Sequence, residues 1–332
     1  MVRIAFDVMG GDLGYKEMIK GAVMACDKDI EIILVGDEKL LKAELDKYSN
    51  INNISIIHAS QIIGMEEEPA TAYKEKRDAS ITIATRLVKD GFAEAVISSG
   101  STGAQMTAGI FILGRIKNIK RPAIATYYPT ANGIKILLDA GATPDCDKEN
   151  IHQFSLMASI FGVSYLKMKK PSVGLLNIGS EDKKGNILYK ETFKILKSDE
   201  NLNFYGNVEG RDVPKGIVDI VVCDGFVGNI VLKLMEGLSS VLLNQIKENI
   251  NSKFIYKIGA LLSKGAFEEI KSKLDYTEYG GAPLLGLKGI SMISHGSSDA
   301  KTMMNAIYAA KRAVDSNFNE ELIKYFEGEP NC

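Results

Sequence analysis

Short runs of β-branched residues alternate with longer helical patterns along almost the whole chain. The predicted strands are Val2–Asp7, Glu31–Gly36, Ile54–His58, Ala95–Ser98, Ile134–Asp139, Ser172–Asn177, Phe204–Gly206, Val218–Cys223 and Ile290–Ile293. The predicted helices are Tyr15–Asp27, Glu38–Tyr48, Thr71–Asp90, Gln105–Ile116, Lys148–Lys169, Gly185–Ser198, Asn229–Ile250 and Ser297–Val314. The run Ile32–Val35 is apolar without a break, which is typical of a parallel sheet covered by helices on both faces. The alternation predicts an α/β protein with a doubly wound, three-layer α/β/α sheet.

Composition places the chain among ordinary folded proteins. Its 332 residues are 45% hydrophobic and 25% charged, which is enough apolar material for a large core. The formal net charge is -2, so no overall basic field attracts nucleic acid, and we expect no nucleic-acid partner. Because no linker marks a boundary, we predict a single catalytic domain over residues 1–332, with a helical excursion at about 229–280.

The cysteines and the amino terminus indicate where the chain works. Cys26, Cys146, Cys223 and Cys332 are widely spaced and form no CxxC pair, so we expect free thiols in a reducing cytoplasm. The sequence opens directly as a strand, without a signal-peptide pattern. We find no apolar run of the roughly 20 residues that cross a bilayer, which leaves attachment to a membrane surface open.

The loop after the first strand, Asp7–Gly14, reads DVMGGDLG and invites comparison with a dinucleotide-binding turn. The GxGxxG fingerprint fails, because the glycines fall at positions 10, 11 and 14. Asp12 also places a carboxylate where a pyrophosphate would lie. A tight turn with Asp12 as a helix cap is therefore favoured over a nicotinamide site.

The loop Ser98–Gly103 is uncharged and rich in glycine and hydroxyl groups. Gly100 and Gly103 allow the backbone to approach a ligand closely, and Ser101 and Thr102 supply hydroxyl donors. At the start of a helix these groups form an anion site best suited to phosphate. The alternative is an ordinary N-cap.

Three aspartates follow the predicted strand Ile134–Asp139. Asp139, Asp145 and Asp147 have the chemistry of a divalent-metal site, but a capped helix start explains them better. We therefore predict no metal and no cofactor.

Two further loops carry polar residues to the carboxyl edge of the predicted sheet. Asn177 ends one strand, and the adjacent Lys183 and Lys184 follow on a glycine-flanked loop from which a lysine can reach a phosphate. Asp224 and Asn229 flank the start of the helix after another strand, and we expect them to face the same cleft.

His295 lies in a glycine-serine turn at the start of a helix, which suits proton transfer. His58 and His152 fall in ordinary strand and helix patterns, so we expect structural roles for both. No GxSxG motif and no Cys-His arrangement is recognisable. Cys223 ends an apolar strand, where a cysteine behaves as a small hydrophobe rather than a nucleophile.

The segment Asn251–Phe267 has an apolar stripe with lysines at its flanks. The stripe residues that we expect to contact lipid or an acyl chain are Phe254, Ile258, Leu261 and Leu262. This pattern suits an interfacial helix on anionic lipid. A packed helix or a dimer contact gives the same pattern and remains the alternative.

Six blocks of this sequence, in this order, resemble the bacterial phosphate acyltransferases of phospholipid synthesis. The blocks are IAFDVMGGD, SSGSTGAQM, DAGATPDC, NIGSEDKKG, EGRDVPKGIVDIVVCDGFVGN and YGGAPLLGLKGISMISHG. The resemblance spans nearly the whole chain. It implies a fold similar to those of isocitrate and isopropylmalate dehydrogenases and phosphate acetyltransferases.

The resemblance also implies a reaction, in which a long-chain acyl group moves from an acyl carrier protein thioester to inorganic phosphate. It implies a homodimer in the cytoplasm, attached peripherally to the inner face of the plasma membrane, that passes acyl phosphate to a membrane glycerol-3-phosphate acyltransferase. Because phosphate is the nucleophile, catalysis rests on positioning and electrostatics.

Roles for the candidate residues follow from that reaction. We expect the Ser101–Gly103 backbone to bind phosphate with help from Asn177 and Lys184, and Asn229 to hydrogen-bond the carbonyl or the phosphate. His295 either protonates the sulfur or orients the anion, and Asp224 orients His295. The sequence does not choose between the two roles of His295.

Three other functions remain as alternatives. One is a nicotinamide-dependent dehydrogenase of the same fold class. Another is a short-chain phosphate acyltransferase that uses coenzyme A. The third is a carrier-protein-binding module without enzymatic activity.

Overall fold

The computed structural model describes residues 1–49, 51–267 and 280–328, and in these ranges twelve strands form two sheets. In chain order the strands are β1 (Val2–Asp7), β2 (Ile30–Gly36), β3 (Ile54–His58), β4 (Ala95–Ser98), β5 (Ala123–Ile124), β6 (Thr126–Thr130), β7 (Gly133–Leu138), β8 (Ser172–Asn177), β9 (Asn203–Glu209), β10 (Ile220–Val222), β11 (Ala282–Leu285) and β12 (Ile290–Ile293). The α/β class is therefore as predicted.

The helices of the described ranges alternate with these strands. They are α1 (Tyr15–Met24), α2 (Glu38–Leu45), α3 (Pro69–Glu75), α4 (Ser80–Lys89), α5 (Thr102–Ala108), α6 (Lys148–Ser164), α7 (Ile187–Ser198), α8 (Gly225–Ser252), α9 (Phe254–Leu262), α10 (Ala300–Asp315) and α11 (Phe318–Glu327). A π-helical turn, Gly109–Leu113, continues α5, and a short 3-10 turn spans Val213–Lys215.

The strands divide into a seven-stranded sheet, ordered β3-β2-β1-β4-β12-β11-β5, and a five-stranded sheet, ordered β6-β7-β10-β8-β9. In the larger sheet β11 runs antiparallel to both neighbours, and in the smaller sheet β6 runs antiparallel to β7. The expectation of one parallel sheet is thus corrected to two mixed sheets. There are two sheets because β10 pairs with β7 and β8 instead of extending the first sheet.

Register brings the functional loops together at the carboxyl ends of the strands. Asp7 at the end of β1 pairs with Ser98 at the end of β4, which pairs with Ile293 at the end of β12. In the second sheet, Leu138 at the end of β7 pairs with Val222 at the end of β10. The loops that follow all these strands leave from the same edges, as the predicted topology requires.

Several predicted helices differ in detail from the observed ones. Thr71–Asp90 is divided into α3 and α4, because the intervening residues turn back and Ala79 bridges to Gln61 after β3. The helix predicted at Gln105–Ile116 begins earlier, at Thr102. Strands β5, β6 and β11 and helix α11 were not predicted.

The helical excursion forms a long arm of apolar residues. α8 has 28 residues, and by length and composition it could cross a membrane, which corrects the expectation that no such stretch exists. One such helix is weak evidence for a span, although little of this one is buried. Leu261 and Leu262 of α9 are 73% and 84% exposed. Residues 268–279 of the predicted excursion lie outside the described ranges, and the single-domain assignment stays a prediction.

Candidate active site

A cavity of about 450 Å³ lies at the carboxyl edge of the first sheet, against the loop after β7 and one face of α8. Its lining comes from both sheets: Asp12, Met65, Gly100, Thr102, Ile124, Thr126, Ala140, Gly141, Asn229, Leu232, Lys233, Glu236, Gly280, Ala282, Ile293, Ser294, His295, Gly296 and Thr302. Hydroxyl, amide and charged groups share this lining with apolar side chains. Such a mixture suits a ligand with one polar and one apolar part.

A buried carboxylate supports the serine-glycine loop from below. Asp7 is only 2% exposed, and its Oδ2 accepts a hydrogen bond from Ser98 Oγ at 2.7 Å. The same Ser98 oxygen accepts from the Gly100 backbone N–H at 3.0 Å, so the loop conformation is tied to Asp7. Burial raises the pKa of Asp7, while hydrogen bonds from Ser80 and Ser98 act in the opposite direction.

The loops after β1, β4 and β12 are joined by backbone hydrogen bonds. Asp12 N donates to Gly296 O at 2.9 Å, and Ser294 N donates to Ser98 O at 2.8 Å. The Oγ atoms of Ser294 and Ser298 lie 2.8 Å apart. These hydrogen bonds fix the three loops relative to one another, so the polar side of the cavity is positioned by three separate strands.

A second buried carboxylate, Asp139, shapes the loop after β7. Its Oδ1 accepts from the backbone N–H groups of Ile124, Gly141 and Ala142, and its Oδ2 accepts from Thr143 N at 2.6 Å. Burial raises the pKa of Asp139, and these four hydrogen bonds oppose the shift. Both carboxylate oxygens are therefore engaged by backbone.

Of the three aspartates in this region, Asp147 follows the capped-helix interpretation. Asp147 caps α6 and forms a capping box with Asn150.

Gly141 has φ +134° and lies against the side chain of Asn229. A Cβ built on Gly141 would be 3.3 Å from Asn229 Cγ. Glycine is favoured here because a side chain would strain the backbone and press on Asn229.

The start of α8 is fixed by Asp224. Its Oδ1 accepts from Val227 N at 2.9 Å as the N-cap, and its Oδ2 accepts from Tyr189 Oη at 2.6 Å. His295, which we expected Asp224 to orient, is not among these partners. Asn229, four residues into the helix after Gly225, faces the cavity.

His295 contacts Lys233, a residue that the sequence analysis did not single out. The Nζ of Lys233 lies 3.2 Å from His295 Nε2 and 3.0 Å from Glu236 Oε2. His295 Nδ1 lies 2.8 Å from Ser297 Oγ. The signal in the sequence was the spacing, since Lys233 follows Asn229 by four residues and therefore shares its helix face.

The structure brings some predicted residues together and leaves others apart. Thr102, Asn229 and His295 line the cavity. Ser101 instead accepts a capping hydrogen bond from Ala104 N at 3.4 Å, and Gly103 packs against Pro69.

Asn177 and Lys184 lie on the second sheet and are not in the lining. The Asn177 amide donates to Lys184 O and to Asn207 Oδ1, and Lys184 Nζ lies 3.7 Å from Glu181 Oε1. Their predicted contacts with phosphate, like the role of Asp224, remain predictions.

The side chains given structural roles behave accordingly. His58 Nδ1 accepts from Glu38 N at 3.3 Å, and His152 Nε2 lies 2.6 Å from Asp199 Oδ2. Cys223 is fully buried, and desolvation raises the pKa of its thiol well above the ordinary value, with Asp224 acting in the same direction. A thiol in this state is a poor nucleophile.

Solved structures with this architecture define the fold class. The EutD phosphotransacetylase from Staphylococcus aureus aligns with a TM-score of 0.60 at 17% identity, covering 94% of each chain. A branched-chain phosphotransacylase from Enterococcus faecalis V583 aligns with a TM-score of 0.57 at 15% identity, covering 95% of this chain and 99% of that one. The 4-hydroxythreonine-4-phosphate dehydrogenase from Klebsiella pneumoniae aligns with a TM-score of 0.55 at 13% identity, covering 95% and 98%. The fold is therefore one that phosphotransacetylases share with a dehydrogenase.

Sequence relatives narrow the class to one family. The model of a family described as fatty acid synthesis protein matches residues 2–321. A phosphate acyltransferase from Desulfitobacterium hafniense (strain Y51) is 51% identical over 326 residues, covering 98% of this chain and 97% of its own. A phosphate acyltransferase from Moorella thermoacetica is 49% identical over 315 residues, covering 95% and 93%. The chain belongs to this family of phosphate acyltransferases, which confirms the resemblance found in the sequence.

Proposed function

We propose that this chain transfers a long-chain acyl group from an acyl carrier protein thioester to inorganic phosphate in the cavity beside His295. The observation that carries the proposal is the cavity itself, which combines a polar end with an apolar wall at the carboxyl edge of the sheet. Family membership supports phosphate as the acceptor and an acyl group as the cargo.

Phosphate binds at the polar end. Thr102 and Gly100 of the serine-glycine loop lie there, next to Ser294 and His295 of the loop after β12. A phosphate oxygen placed among these groups has several hydrogen-bond donors and a fixed orientation. Asn229, across the cavity on α8, donates from its amide to the thioester carbonyl or to the phosphate.

The acyl chain lies along the apolar side. Met65, Ile124, Leu232 and Ile293 provide this wall, and the exposed apolar residues of α8 begin next to it. Burying methylene groups contributes about 0.8 kcal/mol each, so even part of a long chain adds useful affinity. A long acyl chain thereby extends out of the cavity along the exposed apolar residues of α8.

The reaction needs no acyl-enzyme. A phosphate oxygen attacks the thioester carbonyl carbon, the carbon–sulfur bond breaks, and the products are acyl phosphate and the carrier thiol. Cys223 is unsuited to attack because it is buried and its pKa is raised. Positioning and electrostatic stabilisation of the tetrahedral oxyanion supply the rate enhancement.

The proposal extends to the setting in which the chain works. The exposed apolar surface of α8 and α9 suits a homodimer whose α9 ends touch anionic lipid, with Phe254, Ile258, Leu261 and Leu262 toward the membrane. Lys253 and Lys257 lie beside this surface and attract lipid phosphates. In this setting the chain is cytoplasmic, attached peripherally to the inner face of the plasma membrane, and it hands acyl phosphate to a membrane glycerol-3-phosphate acyltransferase.

A thiol-release assay tests the proposed reaction. Palmitoyl carrier protein, inorganic phosphate and the protein are mixed, and free carrier thiol and acyl phosphate are measured. We expect equal amounts of both products, with no release when phosphate is left out. Release without phosphate would indicate a thioesterase, and a preference for acetyl-coenzyme A would indicate the short-chain alternative.

A nicotinamide titration addresses the dehydrogenase alternative. We expect no change in nicotinamide fluorescence, because Asp12 and the spacing of Gly10, Gly11 and Gly14 do not form a pyrophosphate-binding turn. Saturable binding that competes with acyl carrier protein would overturn the choice of substrate.

A further inference from the structure

Lys233 is the cation of the cavity. Among the described lining residues the ionisable side chains are Asp12, Lys233, Glu236 and His295. With a neutral imidazole, these side chains have a formal charge of -1, because two carboxylates accompany one ammonium group. Among the described lining residues, Lys233 is the ammonium group available to a phosphate dianion placed there.

The hydrogen bonds of Lys233 leave room for a ligand. An ammonium group has three N–H donors and no acceptor. Glu236 Oε2 at 3.0 Å and His295 Nε2 at 3.2 Å are its two partners among the residues that the structure describes. The Lys233 side chain is 55% exposed while that of Glu236 is 18% exposed. One donor therefore remains for an anion that enters the cavity.

The contacts of His295 involve both ring nitrogens. Lys233 can only donate, so its approach to Nε2 at 3.2 Å is a hydrogen bond when Nε2 is the acceptor. The Ser297 backbone N–H donates to Nδ1 at 3.2 Å, and Nδ1 lies 2.8 Å from Ser297 Oγ. A neutral imidazole accepts at only one nitrogen, so these two contacts favour different tautomers. With the proton on Nδ1 and directed at Ser297 Oγ, Nε2 is the nitrogen that accepts from Lys233.

We propose that Lys233 binds the substrate phosphate, and that His295 is a positioning residue that holds Lys233 through Nε2. This inference rests on the proposed function, because phosphate is the anion that occupies the cavity. It replaces the two roles left open for His295 with a third. Lys233 is the catalytic residue, since its ammonium touches the phosphate and then the developing tetrahedral oxyanion.

The proton balance agrees with this division of roles. Hydrogen phosphate attacks through one oxygen, the carbon–oxygen bond forms, and the carbon–sulfur bond breaks with its electron pair on sulfur. The hydrogen phosphate proton passes to the thiolate, which leaves acyl phosphate dianion and carrier thiol. Atoms and charge balance without a proton from the imidazole.

Substitution of Lys233 tests the phosphate contact. For Lys233→Met we expect kcat/KM for phosphate to fall about 10- to 100-fold, the effect of losing a hydrogen bond to a charged group. Lys233→Arg should recover most of this loss because the charge is kept. Calorimetric titration of inorganic phosphate into each variant measures the binding separately from turnover.

A matched control is Lys42→Met on α2, whose lysine also pairs with a glutamate on its own helix, at 2.6 Å from Glu38. It should behave like the unaltered protein. Thermal unfolding of each variant establishes that it is folded. An unchanged phosphate KM in folded Lys233→Met would overturn the role of Lys233.

Substitution of His295 tests the positioning role. The side-chain oxygen of His295→Gln can still accept from Lys233 but does not titrate, whereas His295→Ala offers no acceptor. We expect His295→Gln to retain at least about tenfold more activity than His295→Ala. Equal loss in both variants would instead support proton transfer by the imidazole.

The failures of the two proposals are distinguishable. If the unaltered protein releases no thiol in response to phosphate, the proposed function fails. If it does so and Lys233→Met has an unchanged KM, only the inference about Lys233 fails.

Discussion

Gly228 lies directly against Asp139: a Cβ on this glycine would be 1.9 Å from the Asp139 carbonyl oxygen. The contact joins the first turn of α8 to the loop after β7. Asn229 and Lys233 follow Gly228 on the same helix, so their places in the cavity depend on this close approach. Helix and loop can come this near only where no side chain intervenes.

Gly228→Ala should therefore disturb both stability and activity. We expect a loss of about 1–3 kcal/mol in the free energy of unfolding from overpacking, and at least a tenfold fall in turnover as α8 shifts. Urea unfolding and the thiol-release assay measure the two effects. Gly237→Ala, on the same helix with open space around it, is the control and should gain up to about 1 kcal/mol. Equal stability of both variants would show that the contact tolerates a side chain.

Cys223→Ala should leave the reaction nearly intact. The thiol is buried, and desolvation keeps its pKa well above the ordinary value, so no thiolate forms at neutral pH. We expect activity within about threefold of the unaltered protein and a loss of roughly 1 kcal/mol in stability. Complete loss of acyl transfer in a folded variant would point to a covalent acyl-cysteine intermediate, which mass spectrometry of the acylated protein would detect.

Lys184→Ala tests whether Lys184 contacts phosphate. The motif predicts a phosphate contact, whereas Lys184 is exposed, pairs loosely with Glu181 at 3.7 Å and does not line the cavity. We expect the KM for phosphate to change by no more than about threefold, as is typical for exposed pairs. A tenfold rise would restore the role that the motif predicts for Lys184.

Leu261→Glu should weaken attachment to lipid. Leu261 is 73% exposed on α9, and a carboxylate there would have to be desolvated on entering the interface and would be repelled by anionic headgroups. Flotation with vesicles containing phosphatidylglycerol should recover less than about half as much protein as before. Phe92→Glu, which replaces another exposed apolar residue far along the chain, should float normally. If Leu261→Glu floats normally as well, α9 contacts protein instead of lipid.

Asp7→Asn should alter how stability depends on pH. Burial raises the pKa of Asp7 in the folded state, so the unaltered protein loses stability as pH rises from the ordinary aspartate pKa towards that raised pKa. The asparagine does not titrate. The stability of Asp7→Asn relative to the unaltered protein should therefore increase between pH 3.5 and 7, as measured by urea unfolding. A decrease over that range would mean that the hydrogen bonds from Ser80 and Ser98 outweigh burial.

Local pattern was sufficient for several strands. β1, β3, β4 and β8 have the predicted bounds because each is a short apolar run flanked by polar turns. The strands that were missed carry contrary signals: β6 and β11 contain Pro129 and Pro283, and β5 has only two residues. Their pairing is antiparallel: β6 and β11 each pair with the next strand of the chain, whereas β5 depends on the distant β11.

Local composition also explains why only part of the site was predicted. Thr102 and His295 lie in glycine-rich turns, whose composition is itself unusual, and both line the cavity. Lys233 lies within a regular helix, where a lysine looks like an ordinary solvent-exposed residue. Only the approach of the loop after β12 to α8 places His295 beside it.

The sequence by itself determined the α/β class, the strands β1, β3, β4 and β8, the glycine-rich loops and the family. These follow from periodicity and composition over a few residues, and from motifs that lie close together in the chain. The tertiary structure decided that the strands form two sheets, that Asn177 and Lys184 lie outside the cavity, and that Lys233 meets His295. Those outcomes depend on strand order and on contacts between residues more than 60 positions apart, such as Lys233 and His295, which local pattern does not encode.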